Sequence, residues 1–482
     1  MMGRQINPQE KLFSYHVSLH ERVRKDHVLR KIAEKVDFDF VYGEVEESYG
    51  DRGNVSVPPP IILKMMLLLM LYDVRSEREL METIPERLDW LWFLGYDLDD
   101  TIPDHSVLSK ARTRWGVDVF KKFFERIVYQ CVEASLVDGE KIFVDASLIQ
   151  ADASKNSVVN TQSLQRYLNT SYQRLLERLD DQELKGETPV NGSHISTTDP
   201  DASIVRHGPG KAALSYKTHR AVDPRHEVIT ATVVTPGSVD DGEMLPEVIR
   251  VHEETTSSNV TTVVADSKYG TIENYLMCHD IGIEGHIPSL EGTQEGTGSK
   301  EGIFSRDMFT YDAQTDTYQC PAGEVLKRRN YNARRSSYEY KASRGVCGGC
   351  SLREGCTRSR NGRSIKRHEQ QEVIDRMKEQ ARTRGARKDI KKRQDLSERS
   401  FARSTRFGYK RSRWRRLWRM SIQDYLIAAI QNITILISKV KGNSTETKAQ
   451  RPVSRQRLLD LIQKIIPGYF DHNFFKPIHC TS

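Results

Sequence analysis

The segment KIFVDASLIQADAS, Lys141–Ser154, decides how this chain of 482 residues is read. Ile142, Phe143 and Val144 form the short apolar run expected of a strand in a covered sheet. Asp145 then stands at the expected C-terminal end of that strand, where folding alone asks for no carboxylate. The pattern recurs in TVVAD, Thr262–Asp266, so Asp266 ends a second apolar strand. Strand ends of an open α/β sheet border the crevice where such sheets bind ligands. Two acids there repel one another unless a cation lies between them. Mg²⁺, or Mn²⁺, suits such a site because it takes hard oxygen ligands and keeps water and phosphate oxygens. Glu398 is the candidate third acid, an isolated carboxylate in the basic segment DLSERSFARSTRFGYKRSRWRRL, Asp395–Leu417. The alternative for each strand-end Asp is turn formation, and Asp395 competes with Glu398.

Working outward, residues 1–139 read as helical. VPPP, Val57–Pro60, leads into the apolar helix Ile61–Tyr72, which is too short to span a bilayer. Ser76 with Glu79 forms a capping-box pattern. A further helix over Pro103–Gly116 carries Lys110, Arg112 and Arg114, which suits a helix-turn-helix-like DNA module or a plain packing domain. Val119–Leu136 continues at helical spacing. Past Asp145, a polar insertion at 155–212 holds an expected helix, Ser163–Leu179, and a loop, Lys185–Ser203. Tyr216–Val222 and Val228–Thr235 are two strands joined by turn residues, hence a hairpin. Asp240–Glu254 reads as a helix, Val260–Asp266 as a strand, Thr271–Asp280 as a helix and Gly282–Pro288 as a short strand. The sum is a mixed sheet covered by helices. Glu291–Gly302 is a Gly/Ser-rich loop, Ser421–Val440 a buried closing helix, and Arg457–Ile466 a short helix in a tail of unread role.

The net charge of +7 conceals a local excess. Between Ala381 and Met420 stand 16 Lys/Arg and three acids, so about +13 in 40 positions. A segment that basic points to nucleic acid. Candidate DNA contacts are Lys110, Arg112 and Arg114, then Lys268, Arg399, Arg403, Arg406, Lys410, Arg411 and Arg413. Lys217 and His219 alternate along one strand and read as solvent-facing, or else as phosphate contacts. Tyr269, just after Asp266, is a further candidate for touching DNA.

Of seven cysteines, Cys320, Cys347, Cys350 and Cys356 fall in one short region. A CxxC pair with two more cysteines nearby suits tetrahedral Zn²⁺, and reduced structural thiols are the alternative. This usage suits a reducing compartment, so a cytoplasmic protein without membrane attachment is expected.

The motifs FVDASLIQADAS, YKTHRAVD, ATVVTPGSVDDGEML and VVADSKYGTIEN, with the segment around ERSFARSTRFGYKRSRWRRLWRM, occur in one order. Together with PPPIILKMMLLLMLYDVRSERELMETI they resemble the DDE transposases of prokaryotic insertion sequences, over roughly residues 10–440. The resemblance implies an RNase H-like core behind an InsH-like N-terminal domain, with Asp145, Asp266 and Glu398 as the metal-binding triad. It also implies Asp241 as a neighbour of that triad. Two positions depart from the family pattern. Thr405 stands where a basic residue is usual, and Gln394 where an arginine is usual, so Arg393, Arg399, Arg403 or Arg406 would take over phosphate contact.

The expected organisation is therefore a helical domain, 1–139; a first core part, 140–290; a basic cysteine-containing insertion, 291–385; a core completion, 386–441; and a tail, 442–482. The implied activity is Mg²⁺-dependent DNA strand cleavage and transfer on double-stranded DNA, by at least a dimer. A stand-alone nuclease on the same core and an inactive DNA-binding descendant are the other readings.

Overall fold

The computed structural model describes residues 18–50, 56–160, 189–206, 212–290, 302–343 and 345–440. The expected helices Ser163–Leu179 and Arg457–Ile466, and nearly all of the loop Glu291–Gly302, lie outside them.

The N-terminal region is helical as read. Besides the short helices Leu19–Arg22 and Phe40–Val45, it holds α1 (Val28–Lys35), α2 (Pro59–Leu71), α3 (Glu77–Thr83), α4 (Leu88–Leu94), α5 (Ser106–Trp115) and α6 (Asp118–Glu133). Pro59 and Pro60 occupy the first turn of α2, where a missing N–H costs nothing. Ser76 Oγ accepts the Glu79 N–H at 3.1 Å and caps α3. Gly116, at φ +70°, stops α5.

Strand β1 (Lys141–Gln150) is central to a mixed sheet, with β2 (Ser203–Val205), β3 (Ala213–Val222), β4 (Ile229–Pro236), β5 (Thr262–Val264) and β6 (Glu284–His286). The order is β2-β3-β1-β5-β6, with β4 also paired to β3. β1, β3 and β4 run antiparallel, whereas β1, β5 and β6 run parallel. Three antiparallel strands followed by two parallel ones added on the far side of the first is the RNase H-like arrangement that the resemblance implies.

β1 is longer than its sequence suggests. Its ladder with β5 ends at Phe143↔Val264, but its ladder with β3 runs on to Gln150↔Ser215. Asp145 is thus a strand end only toward β5. Antiparallel pairing, a tertiary matter, carries the polar residues after it into the sheet. The same cause corrects the expected loop 185–203. His194–Ser196 pairs with Val158–Asn160, and β2 pairs with the start of β3.

Alternation along β1 divides the core. Ile142 and Val144 join α7 (Leu245–Thr256) and α8 (Ile272–Asp280) on one face. Phe143 and Ile149 face the other side, where one continuous apolar cluster includes α2, α4, α6 and the closing helix α11 (Leu417–Lys439). The N-terminal helices therefore share the core's hydrophobic interior, which favours the packing role over a free helix-turn-helix module. α11 is long and apolar enough to cross a membrane, yet it is the central buried helix of this cluster.

Between β6 and α9 (Gln371–Gln380) the insertion folds as an antiparallel meander. Its strands are β7 (Thr310–Asp312), β8 (Thr317–Gln319), β9 (Val325–Asn332), β10 (Ser337–Lys341) and β11 (Ser364–His368), paired in sequence order. The meander escapes a hydropathy reading because β9, VLKRRNYN, buries only Leu326. Its small core is Phe309, Tyr318, Leu326, Tyr340 and Ile365.

Two histidines are enclosed as neutral rings. His219 bonds Thr235 Oγ1 at 3.0 Å, so its expected solvent-facing position is overturned. His252 lies between Thr230 Oγ1 and the Gly139 carbonyl, at 2.7 and 2.9 Å. Burial pushes His219 down to about 3 and His252 down to about 4. Depressed folded values mean that the unfolded chain binds more protons below its ordinary value near 6.5. Stability contributed by these rings is complete above that pH and declines as pH falls from about 6.5 toward 4. The expected slope is about 1.4 kcal/mol per pH unit per ring. Urea midpoints at pH 7 and pH 5 check this, and His252→Gln flattens the dependence.

Candidate active site

Asp145 points to the same side of the sheet as Phe143, toward α10 (Arg384–Thr405). Arg393 Nη1 lies 3.0 Å from Asp145 Oδ2, and Asp145 Oδ1 accepts the Ala146 N–H at 2.9 Å. Burial raises the Asp145 carboxyl above its ordinary value. Arg393 opposes that shift, and the nearby Asp266 charge adds to it.

Asp266 follows β5 directly and caps a single 3₁₀ turn, Ser267–Tyr269, accepting the Lys268 N–H at 2.9 Å. Adjacent parallel strands thus bring the two carboxylates close enough to repel. Hard oxygen donors under mutual repulsion are the donor set a divalent cation relieves, so Asp145 and Asp266 fit one. Among the described residues, no three His, Cys, Asp or Glu side chains form a ready-made ion site.

A third buried acid completes the electrostatics. Asp241 receives Lys217 Nζ at 2.6 Å and Lys268 Nζ at 3.1 Å. Burial pushes its carboxyl up, but the two ammonium groups outweigh burial and hold it below the usual range. Lys217 is therefore turned inward, contrary to its solvent-facing reading, whereas Lys268 remains 66% exposed and available to a ligand. Tyr269 is wholly buried in the α7–α8 cluster and does not face DNA. Its hydroxyl has no hydrogen-bond partner among the described residues, and burial together with Asp241, Asp145 and Asp266 raises its pKa well above the ordinary value.

α10 meets the sheet along one stripe at helical spacing. Asp389 bonds Lys141 Nζ at 2.8 Å and His286 Nδ1 at 2.9 Å; Arg393 holds Asp145; Ser404 Oγ accepts from Arg220 Nη1 at 2.7 Å. Buried Ser397 lies on the same stripe. Glu398, one residue further round, is exposed and accepts from Gln394 Nε2 at 3.3 Å. The Asp389–Arg393–Ser397 spacing was available in the sequence, but only the sheet shows which stripe faces inward.

The cationic candidates separate by environment. Arg112 is buried, ion-paired to Glu77, with its guanidinium 3.9 Å from the Trp414 ring. Arg413 is nearly enclosed and bound to Asp73. Burial lowers the pKa of both. These two arginines tie the N-terminal helices to the segment before α11, and both are committed to ion pairs within the fold rather than presented to a ligand. Arg399 and Arg403 both grip Glu227 at 2.6 Å, and Arg411 pairs with Asp152 at 2.8 Å. Lys110, Arg114, Arg406 and Lys410 are exposed, Arg114 lying 4.7 Å from the Tyr49 ring.

Cys320, Cys347, Cys350 and Cys356 line one cavity at the base of the meander, with Phe304, Phe309 and Leu326. Burial raises the Cys356 thiol, Arg363 opposes, and the other three cysteines add to the rise. Chain segments from Cys320 to Cys356 thus bring the four cysteines to the wall of one cavity.

An RNase H-like sheet with paired carboxylates beside a basic helix defines a class of nucleic-acid-processing folds. Residues 17–114 match the family described as Transposase domain (DUF772), and residues 319–437 the family described as Transposase DDE domain. Over these two segments, which together make up less than half of the chain, the protein is similar to transposases. Glu398 and the four cysteines fall within the second matched segment; Asp145 and Asp266 lie outside both. No curated protein matches the chain. A piggyBac transposase in a synaptic complex with hairpin DNA, solved by cryo-EM, is 10% identical over 86% of this chain and 73% of that chain. Its TM-score of 0.31 is too low to carry an argument.

Proposed function

We propose that this chain is a DDE transposase that binds the ends of a mobile DNA element and carries out metal-dependent strand cleavage and strand transfer, with Asp145, Asp266 and Glu398 as its carboxylate triad. The observation that supports this most is the adjacency of Asp145 and Asp266 on two parallel strands, facing the basic helix α10. A divalent ion held there would activate an attacking oxygen and stabilise the departing 3′-oxygen. Arg393 keeps Asp145 oriented and supplies positive charge beside the reacting phosphate. Asp241 fixes the Lys268 ammonium near the acids, where its exposed end can meet a phosphate oxygen. Lys110, Arg114, Arg406 and Lys410 are the exposed cations for duplex DNA, and Arg399, Arg403 and Arg411 join them when their carboxylate partners yield. The protein works in the cytoplasm on double-stranded DNA, as at least a dimer. The organisation that goes with this reading is a helical part at 1–139, a core at 140–290 and 386–441, an insertion at 291–385 and a tail at 442–482.

Glu398 requires its own test, because its carboxylate is bonded to Gln394. That contact, with Thr405 and Gln394 in place of basic residues, supports the inactive-descendant reading as the alternative. Cleavage and joining are measured on a labelled duplex carrying the element's end, with Mg²⁺ and with EDTA. Cleavage without joining marks a nuclease. Binding without cleavage marks an inactive descendant. Activity that survives Glu398→Ala removes Glu398 from the triad.

Cys320, Cys347, Cys350 and Cys356 would hold a structural Zn²⁺, since a CxxC pair with two more cysteines around one cavity suits a tetrahedral set of thiolates, whose protons the cation would displace on binding. Metal analysis of the purified chain is expected to find about one zinc per molecule. Cys347→Ser lowers that content and the unfolding midpoint together. Full zinc content in Cys347→Ser contradicts the assignment.

A further inference from the structure

The β9–β10 hairpin of the insertion has no part in the site described above, yet its tip is built in an unusual way. β9 leaves its small core at Leu326 and continues for six residues, roughly 20 Å of strand, to Asn332. A bulge between Arg328 and Asn330 puts Arg329 outside the regular ladder. A single 3₁₀ turn, Ala333–Arg335, closes the tip, with Asn332 Oδ1 accepting the Arg335 N–H at 3.1 Å. From Arg329 to Arg335 the chain holds three arginines and no acid, all of it exposed.

Charge nearby is already accounted for. Asp316 is engaged by Arg328 at 3.0 Å, Glu339 by Lys341 at 3.0 Å, and Glu369 by the Tyr331 hydroxyl. Among the described residues no carboxylate pairs with Arg329, Arg334 or Arg335. Side chains brace the tip. Tyr331 is 47% exposed but packs at a tilt, 4.9 Å from Tyr338, over which Arg328 lies at 4.7 Å. Unpaired cations on a preformed two-stranded ribbon, with an exposed aromatic between them, complement a polyanion whose major groove admits such a ribbon.

We propose that the β9–β10 hairpin is a duplex-DNA docking finger, with Arg329, Arg334 and Arg335 on phosphates and Tyr331 against the groove wall. This rests on the reading of the chain as a DNA-acting transposase and adds a second contact surface, separate from the acids and from α10. The full chain is titrated with a short random-sequence duplex over a series of salt concentrations. The wild type is compared with the triple variant Arg329→Gln, Arg334→Gln, Arg335→Gln, and with the same positions changed to Lys. The glutamine variant is expected to bind about tenfold more weakly at moderate salt, with its log–log salt slope shallower by about 2 to 3. Its unfolding midpoint stays unchanged because the tip is exposed, and the lysine variant recovers the slope. Tyr331→Ala weakens binding with the slope retained. Wild-type affinity and slope in the glutamine variant, alongside normal cleavage by the wild type, overturn the finger while leaving the transposase reading intact. Absence of duplex binding by the wild type overturns both.

Discussion

Asp145→Ala and Asp266→Ala are each expected to reduce strand cleavage and joining by at least about a thousandfold, with duplex binding retained. Each substitution removes one of two oxygen donors on adjacent parallel strands, and among the described residues the neighbouring buried carboxylates are engaged elsewhere. Asp241 is committed to two lysines, and Asp389 to Lys141 and His286. Asp145→Ala also strands the buried Arg393 guanidinium, so a folding loss accompanies the catalytic one. The double change Asp145→Asn with Arg393→Gln separates them, because the carboxylate is gone and no guanidinium is left enclosed without its counter-charge. A gel assay on end-labelled duplex, read beside an unfolding midpoint for each variant, decides the matter. Cleavage by Asp266→Ala at more than a tenth of the wild-type rate would remove the paired carboxylates from the reaction.

Asp424→Ala carries the largest expected effect on stability, about 3–5 kcal/mol. Arg220 Nη2 lies 2.5 Å from Asp424 Oδ1 in the interior, and Thr232 donates to the other carboxylate oxygen. Arg220 also stacks 4.6 Å from Tyr409 and bonds Ser404 on α10. Burial works against its charge, but Asp424 more than compensates and raises its pKa. Deleting Asp424 leaves a guanidinium buried with nothing to neutralise it. The double change Arg220→Met with Asp424→Leu restores much of the loss, since no charge is then enclosed. Arg220 is also the register partner of Asp145 across β1 and β3. The pair therefore locks α10 and α11 onto β3, the strand paired with the one that presents the first carboxylate. Denaturant midpoints of the single and double variants measure this; equal midpoints for Asp424→Ala and the wild type would contradict it.

Sequence alone was enough for the apolar strands that lead into Asp145 and Asp266, the β3–β4 hairpin, the helices α2, α3, α5 and α6, the buried helix α11 and the basic run through α10. Each of these is a local matter of apolar periodicity, turn chemistry and charge density, which the chain displays without reference to its partners. Tertiary structure alone decided which cations are free. Arg112, Arg220, Arg393 and Arg413 look like their neighbours in sequence, yet each is enclosed by an element far along the chain that brings it a carboxylate. Partner strands likewise decided that β1 runs past Asp145, and that the polar segment VLKRRNYN forms a strand at all. Glu398 stands one residue round from the stripe of α10 that the sheet covers, and only the sheet reveals which stripe that is. Burial is a property of what lies opposite a side chain, and what lies opposite is set by contacts that no local window of sequence contains.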